Sequence, residues 1–313
     1  MNSIGSGVGR RRVEDGALLI AGVGGLGCAW ARAAHARCSE HAELLLVDAD
    51  PASLEEADHA NCIRLGEATH GDGCASMPEL ARGWLAERTG ALVRVLEPVE
   101  MIIILTALGG GAGTGAVQLL AQRAKSRGAI VITVVATPFE EQVTRLRTAR
   151  AWLPRLEDAS HACIRLSLPR LAWRARERGV DWRDGGGWIE DLVDGLVRTQ
   201  AQVGLINLDL MDLRSILERP GRATMLVAQG RASDARRLVR QALAAPLEHV
   251  ALDGAAGCLI QIEGGMDLTL GEVNEVTEAF TARLHPDSQV IFGARMSQAL
   301  DGEVRVVAVL AGL

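Results

Sequence analysis

Short apolar runs alternate with amphipathic stretches through the first half of the chain. Ala17–Val23 is an apolar run that leads into a glycine turn and the alanine-rich segment Cys28–Arg37, which predicts a strand followed by a helix. Glu43–Val47 predicts a second strand, and Pro78–Arg88 a helix opened by proline. Met101–Thr106 and Ala129–Val135 are nearly continuous apolar runs, as expected of strands covered on both faces, with the amphipathic stretch Ala116–Lys125 between them. Such alternation implies an α/β fold with a parallel, doubly wound sheet and ligands at the carboxyl ends of its strands.

The pattern changes around Gly185-Gly186-Gly187. From Trp188 to Val203 apolar residues come in pairs, at 188/189, 192/193 and 196/197, which predicts a broadly buried helix long enough to connect two domains. Beyond it the chain predicts strand Ala223–Gln229, helix Ser233–Ala245, strand Gly257–Glu263, helix Leu270–Leu284 and strands Gln289–Gly293 and Glu303–Leu310. Val273, Val276, Phe280 and Leu284 form a core stripe at helical spacing. The expected division is a flexible tail over 1–12, a nucleotide-binding domain over 13–187, the central helix 188–203 and a smaller α/β domain over 204–313.

The first chemistry lies at 109–115, which read Gly-Gly-Gly-Ala-Gly-Thr-Gly between the strand Met101–Thr106 and the helix that follows. Without Cβ atoms, successive peptide N–H groups can turn inward as an anion nest, and the helix adds its unpaired N-terminal donors. No Gly-Lys-Ser/Thr closes the loop, so it is not a Walker A motif.

Composition narrows the class. The chain has 313 residues, 48% hydrophobic and 23% charged, enough apolar mass for two cores. Its net charge of -6 argues against nonspecific nucleic-acid binding, and with no Tyr and 3 Phe it lacks a platform for stacking single strands. The run Arg10-Arg11-Arg12 reads as a solvated tail that could touch acidic lipid. No segment approaches the roughly 18 apolar residues of a membrane span, and Met1–Gly9 holds no signal core, so the cytoplasm is expected. Cysteines 28, 38, 62, 74, 163 and 258 show no Cys-x-x-Cys spacing and read as reduced thiols. The 7 histidines show no metal-ligand spacing, so no protein-borne metal site is expected.

Gly109–Gly115 resembles the Gly-Gly-Gly-Thr-Gly-Thr/Ser-Gly signature of the tubulin/FtsZ superfamily, with Ala112 for the first Thr. The resemblance extends along the chain. Gly22-Val-Gly-Gly-Leu-Gly27 is similar to the first phosphate loop of FtsZ, and Val47-Asp-Ala-Asp50 to the segment after its second strand. Gly71-Asp-Gly-Cys-Ala-Ser-Met-Pro-Glu79 resembles its γ-phosphate loop, and Val134–Phe139 its Val-Val-Thr-Lys-Pro-Phe strand end. Gly204-Leu-Ile-Asn-Leu-Asp-Leu-Met-Asp212 resembles the catalytic loop, and Val304–Leu313 the last strand.

The resemblance implies GTP/GDP binding with Mg²⁺, assembly of the chain with itself into head-to-tail filaments, and GTPase activity. The implied nucleotide-binding residues are Gly22, Gly24, Gly25, Gly27, Asp48, Asp50, Gly71, Gly73, Gly109, Gly110, Gly111, Ala112, Gly113, Thr114 and Gly115. Glu141 and Arg145 stand for the family's Glu-x-x-x-Arg pair, with a surface helix pair as the alternative. Asn207, Asp209 and Asp212 follow the central helix, across the domain from the glycine loops, where they would complete the site of a neighbour. There Asp209 and Asp212 can polarise an attacking water with Asn207 as a neutral partner. Asn-x-Asp-x-x-Asp also reads as a capping cluster at a helix start, and both readings can hold.

Departures affect the base. The family reads guanine with an Asn and an Asp and stacks it on an aromatic ring; these positions fall near Ser167, on Gly187 and near Arg183, with Trp182 or Trp188 as replacement rings. Leu26, Cys28 and Ala29 also depart from the first loop. A filament protein with altered or lost nucleotide specificity is therefore the first alternative. The second is a Rossmann-type dinucleotide-binding or adenylating enzyme, since Gly22-x-Gly24-x-x-Gly27 with Asp48 is a complete dinucleotide fingerprint. In FtsZ a linker and a short adaptor-binding peptide follow the last strand, whereas this sequence stops at Leu313, so no recruitment through such a peptide is expected.

Overall fold

A computed structural model describes residues 17–55, 61–66, 73–201, 204–248 and 253–313. The expected tail 1–12 with Arg10–Arg12, Gly71, and the last two residues of the expected central helix lie outside the described residues. Six strands build a wholly parallel sheet: β1 (Leu18–Val23), β2 (Glu43–Asp48), β3 (Asn61–Arg64), β4 (Met101–Ala107), β5 (Ile130–Thr137) and β6 (Ala162–Ser167). Their order is β3-β2-β1-β4-β5-β6, so the winding direction reverses between β1 and β4. That junction opens a crevice at the strands' carboxyl ends.

The apolar runs alternate sides once paired. Leu18, Ile20, Ile103 and Ile132 enter one core; Leu19, Ala21, Ile102 and Val131 enter the other. The second core is covered by α2 (Pro78–Glu87), α3 (Thr89–Leu96), α4 (Ala112–Ser126) and α5 (Val143–Ala159). The first lies under α1 (Gly24–Cys38) and α7 (Trp188–Ala201), with α6 (Leu168–Arg178) at its edge, and continues into a second sheet. That sheet holds β7 (Ala223–Gly230), β8 (Gly257–Gly264), β9 (Gln289–Met296) and β10 (Val304–Ala311) in the order β7-β10-β8-β9. β10 runs antiparallel to both neighbours, whereas β8 and β9 are parallel. Helices α8 (Leu210–Leu217), α9 (Ala235–Leu243) and α10 (Leu270–Thr281) pack around it. The paired apolar residues of α7 are buried because the first core runs along it from the parallel sheet into the second sheet.

Two boundaries differ from the sequence pattern for one reason. α1 begins at Gly24 and α4 at Ala112, so the glycines expected to form turns already occupy helical first turns. Tight packing selects glycine there: a Cβ on Gly115 would fall 1.7 Å from the carbonyl oxygen of Pro78, where α4 crosses α2. Helix α10 ends at Thr281, but Leu284 still packs on the core stripe.

Candidate functional site

The carboxyl ends of β1 and β4 feed directly into α1 and α4, side by side at the crevice. Neither helix has a side-chain cap at its N-terminus, and neither has an acidic residue in its first turn. Their first-turn amides and positive dipole ends are thus free of a capping side chain or carboxylate of their own helix, as an anion site requires. The two ends touch: Gly24 has φ +76, and a Cβ on it would lie 2.9 Å from the amide nitrogen of Gly113. Thr106 ties them together, its hydroxyl donating toward the carbonyls of Val23 at 3.0 Å and Gly113 at 2.7 Å. Thr114 Oγ1 accepts from Gly109 N at 2.9 Å and closes the β4–α4 turn.

The glycines of the cradle divide by what surrounds them. A Cβ on Gly113 would meet the carbonyl of Ala107 at 2.5 Å, one on Gly27 that of Leu105 at 2.3 Å, and one on Gly22 the backbone of Cys28 at 2.6 Å. One on Gly111 would strike Cys74 Cβ at 2.4 Å. Close packing of protein on protein accounts for these four. Gly110 and Gly73, by contrast, face space with no atom within 4 Å. Gly110 therefore marks the open wall of the cradle, which fits a polyphosphate laid against the α4 amides together with Ala112.

Three further segments border this wall. Residues 73–77 fold against Gly111, and Ala75 and Ser76 adopt φ of 45° and 56°, a costly left-handed conformation for residues other than glycine. Asp48 ends β2 beside Gly25, accepting from Ala49 N at 2.7 Å; burial pushes its carboxyl above the ordinary value. Asp50 instead caps a short turn through Ala52 N. Arg145 lies in the first turn of α5 with its Cβ 2.7 Å from where a Gly109 Cβ would be, so this residue adjoins the cradle. Glu141 is exposed in the turn before α5.

The aromatic candidates separate. Trp182 lies edge-on to Phe139, centroids 5.6 Å apart, and the Arg183 guanidinium stacks on it at 4.9 Å. Its carbonyl accepts from the buried indole of Trp30 at 3.1 Å. Trp188 is buried and lines a cavity against the second sheet. Ser167 caps α6 by accepting from Arg170 N, and Gly187, with φ +76, offers no side chain.

Asn207, Asp209 and Asp212 gather elsewhere. Asn207 Oδ1 accepts from Gly204 N at 2.7 Å. Asp209 caps α8 through Met211 N and Asp212 N, and Asp212 Oδ2 accepts from Asp209 N at 3.0 Å, a reciprocal capping box. Both cap bonds of Asp209 use Oδ1, while Asn207 and Asp209 stay exposed beside the exposed apolar side chains of Leu205 and Met211. Arg214 Nη2 donates to Gly128 O at 2.6 Å, just past the C-terminus of α4. The acidic loop is therefore about one helix length, ~22 Å for fifteen residues, from the cradle.

Thr106 is the site residue that sequence reasoning passed over. Its signal was a lone hydroxyl closing the apolar run Met101–Leu105. Among the described residues no group of three His, Cys, Asp or Glu side chains could hold a metal ion. Mg²⁺ at this cradle would take its ligands from phosphate oxygens and water.

Comparison with known proteins gives this geometry a context. Residues 17–171 match the model of the Tubulin/FtsZ family GTPase domain, and residues 221–313 that of the FtsZ family C-terminal domain. Cell division protein FtsZ 2 of Methanocaldococcus jannaschii is 31% identical over 279 residues, covering 87% of this chain and 73% of that protein. Cell division protein FtsZ of Haloferax mediterranei is 30% identical, covering 95% and 80%. Among solved structures, an FtsZ mutant from M. jannaschii superposes with a TM-score of 0.82 at 27% identity, over 95% of this chain and 91% of that one. CetZ2 from Haloferax volcanii, solved as a GTPγS-bound protofilament, shares the fold with a TM-score of 0.76 at 19% identity, over 94% and 92%. Both halves of the chain are thus matched by one family, which leaves the dinucleotide enzyme without support beyond its first loop.

Proposed function

The chain belongs to the tubulin/FtsZ family, and from that premise we propose that it is an FtsZ-like GTP-binding protein that stacks head to tail, each cradle completed by the acidic loop of the next subunit. The carrying observation is the separation of the two half-sites: an uncapped double helix terminus with Gly110 open to solvent, and Asn207, Asp209 and Asp212 at the other end of α4. A carboxylate ~22 Å from a phosphate cannot act on it within one molecule. Translation of one copy onto another along α4 brings the two together and builds an open filament.

In that contact the α1 and α4 termini hold the phosphates, and Arg145 adds a cation beside Gly109. Asp209 keeps Oδ2 outside its cap, so it can accept a proton from the attacking water as that oxygen bonds to the terminal phosphorus. Asp212 orients Asp209 through the capping box, and Asn207 braces the loop through Gly204. The bond from phosphorus to the bridging oxygen breaks, releasing phosphate and leaving GDP. Mg²⁺, held by phosphate and water, supplies charge neutralisation when bound. The place of action is the cytoplasm; no described helix is long and apolar enough to cross a membrane.

One observation favours a second reading, a filament with relaxed base specificity. Ser167 is committed to the cap of α6 and Gly187 has no side chain, so neither offers the Asn or Asp groups that the resemblance calls for. Mass spectrometry of nucleotide released from gently purified protein tests both readings. Guanine nucleotide together with GTP-dependent pelleting supports the first. Mixed or absent nucleotide with unchanged pelleting supports the second. A monomer that binds no nucleotide overturns both.

A further inference from the structure

Arginines gather on two helices: Arg170, Arg174, Arg176 and Arg178 on α6, and Arg236, Arg237 and Arg240 on α9. Glu177 is the one carboxylate within these helices, in a chain whose net charge is -6. Among the described residues only Arg178 of this group has an ion-pair partner, Asp191 at 3.6 Å, which Arg37 already holds at 2.6 Å. Flanking carboxylates are engaged elsewhere: Asp181 pairs with Arg183, Asp234 caps α9 through Arg237 N, Glu248 accepts from Thr137 and Glu303 from Gln229. Arg170, Arg174 and Arg178 repeat at one-turn spacing, as do Arg236 and Arg240, and like charges so placed oppose the helix that carries them. An anionic partner relieves that repulsion.

The two helices present one face. Arg170 Nη1 donates to the carbonyl of Leu247 at 2.7 Å and Arg174 Nη2 to that of Ala244, so both side chains of α6 reach the segment that leaves α9. Ala244 stands one turn beyond Arg240 on the stripe that Arg236 begins, which carries the basic face from α6 onto α9. Trp173 projects among these groups, 58% exposed, with the Arg174 guanidinium 5.6 Å from its ring. It is the exposed member of the 6 tryptophans: Trp30, Trp84, Trp152 and Trp188 are buried and Trp182 is half-buried. Pro169, one turn before Trp173, and Val180, two turns after it, are exposed as well.

We propose that the α6–α9 face docks on a bilayer surface rich in anionic phospholipid, with its guanidinium groups on lipid phosphates and the Trp173 ring at headgroup level. Arginine forks match phosphate oxygens in pairs, and indole rings favour the membrane–water boundary. Basic groups draw the face to the anionic surface, and the ring adds apolar contact there. One projecting ring among cations suits that boundary, whereas single-stranded nucleic acid calls for several rings in series to stack its bases. Docking of this kind is independent of nucleotide.

The test is flotation of the full chain, without added nucleotide, on phosphatidylcholine vesicles containing about 30% phosphatidylglycerol, against vesicles of phosphatidylcholine alone. The protein should float with the first and not with the second, and about 0.5 M salt should release it. Arg176→Gln, Arg236→Gln and Arg240→Gln, all at exposed positions, should each weaken binding by roughly fivefold with melting unmoved. Trp173→Ser should weaken it as well. Replacing Arg10, Arg11 and Arg12 together by Gln should leave it unchanged, which separates this face from the basic run near the start of the chain. Equal flotation with both vesicles, no flotation with either, flotation unchanged when the three helix arginines are replaced together, or loss of flotation in the Arg10–Arg12 variant would each overturn the assignment. Binding of duplex DNA or poly-glutamate through the same arginines, where the vesicles do not bind, would give the face to a different polyanion and overturn it too.

Discussion

Arg214 donates from Nη2 to the carbonyl of Gly128 at 2.6 Å, and this contact pins α8 to the C-terminal turn of α4. The acidic loop and the glycine cradle thereby lie at opposite ends of one rod. In the head-to-tail stack proposed above, their spacing within a molecule sets the offset between molecules, and a monomer would hold only half of each site.

The first prediction follows from that split. Asp209→Asn should keep the cap of α8, because an amide oxygen can still accept from Met211 N and Asp212 N, while it loses the proton acceptor. Hydrolysis should fall by roughly 100-fold or more with nucleotide affinity unchanged. In the unmodified protein, specific activity should climb with protein concentration. A flat dependence, measured by phosphate release across the assembly range, points to a site contained in one molecule.

The glycines give a sharper contrast than the motif alone suggests. Gly110→Val places its side chain in open space, so the fold should stay within about 0.5 kcal/mol while nucleotide binding drops. Gly113→Val drives a side chain into the Ala107 carbonyl and Gly115→Ala into that of Pro78, and overpacking of this kind costs about 1–3 kcal/mol or more. Thermal melting beside nucleotide titration separates the two classes. Unchanged GTP affinity in Gly110→Val would remove Gly110 from the cradle.

These glycines also mark how far the sequence could be read. The parallel sheet was legible because Met101–Thr106 and Ala129–Val135 are apolar at every position but Thr106 and Thr133, which only a doubly covered strand tolerates. The split between glycines packed against protein and those facing open space was not legible. Gly110 and Gly111 look identical in sequence and differ only in whether Cys74, from a distant loop, lies against them. The capping of α8 by Asp209 and Asp212 was legible, because a capping cluster has its own spacing. Strand β3, helix α3, helix α5, strand β6 and helix α6 went unread: β3 has four residues and α3 eight, too few turns for a period to stand out, and α5 carries Pro154 within it. The burial of Trp188 was legible from its place in the paired apolar pattern of α7, but its position against the second sheet was not.

Glu190, in the first turn of α7, gives a pH dependence. It is buried, one of its carboxylate oxygens has no hydrogen-bond partner, and desolvation pushes its pKa up from the ordinary 4.5. Between that value and the raised folded one, the native state holds more protons than the unfolded chain, so this group's contribution to stability declines as pH rises. Glu190→Gln cannot ionise. It should therefore melt higher than the unmodified protein at pH 7, with the difference shrinking toward pH 4. A pair of melting curves that stay parallel from pH 4 to 7 would show that Glu190 ionises freely in the fold.

Glu263 and Arg295 form a buried pair at 2.7 Å, with side chains 7% and 5% exposed, and Arg295 also donates to the carbonyl of Arg198 near the end of α7 at 2.7 Å. Glu263→Ala leaves Arg295 charged and uncompensated in the interior and should cost about 3–5 kcal/mol by urea unfolding. Replacing both partners, Glu263→Leu with Arg295→Met, should recover most of that loss, because desolvation no longer opposes burial. Hydrolysis should not recover with it. Gly204 packs on the carbonyl of Ala294 so closely that a Cβ there would come within 2.5 Å, and Ile206 pairs with the same residue, so β9 sets the acidic loop directly. Losing the Arg295 tether to α7 frees that strand to shift while the core stays packed. A double variant that regains both stability and full turnover would show the pair to be a packing feature alone. One that regains stability but hydrolyses slowly, with nucleotide affinity intact, assigns the pair to the placement of Asn207 and Asp209.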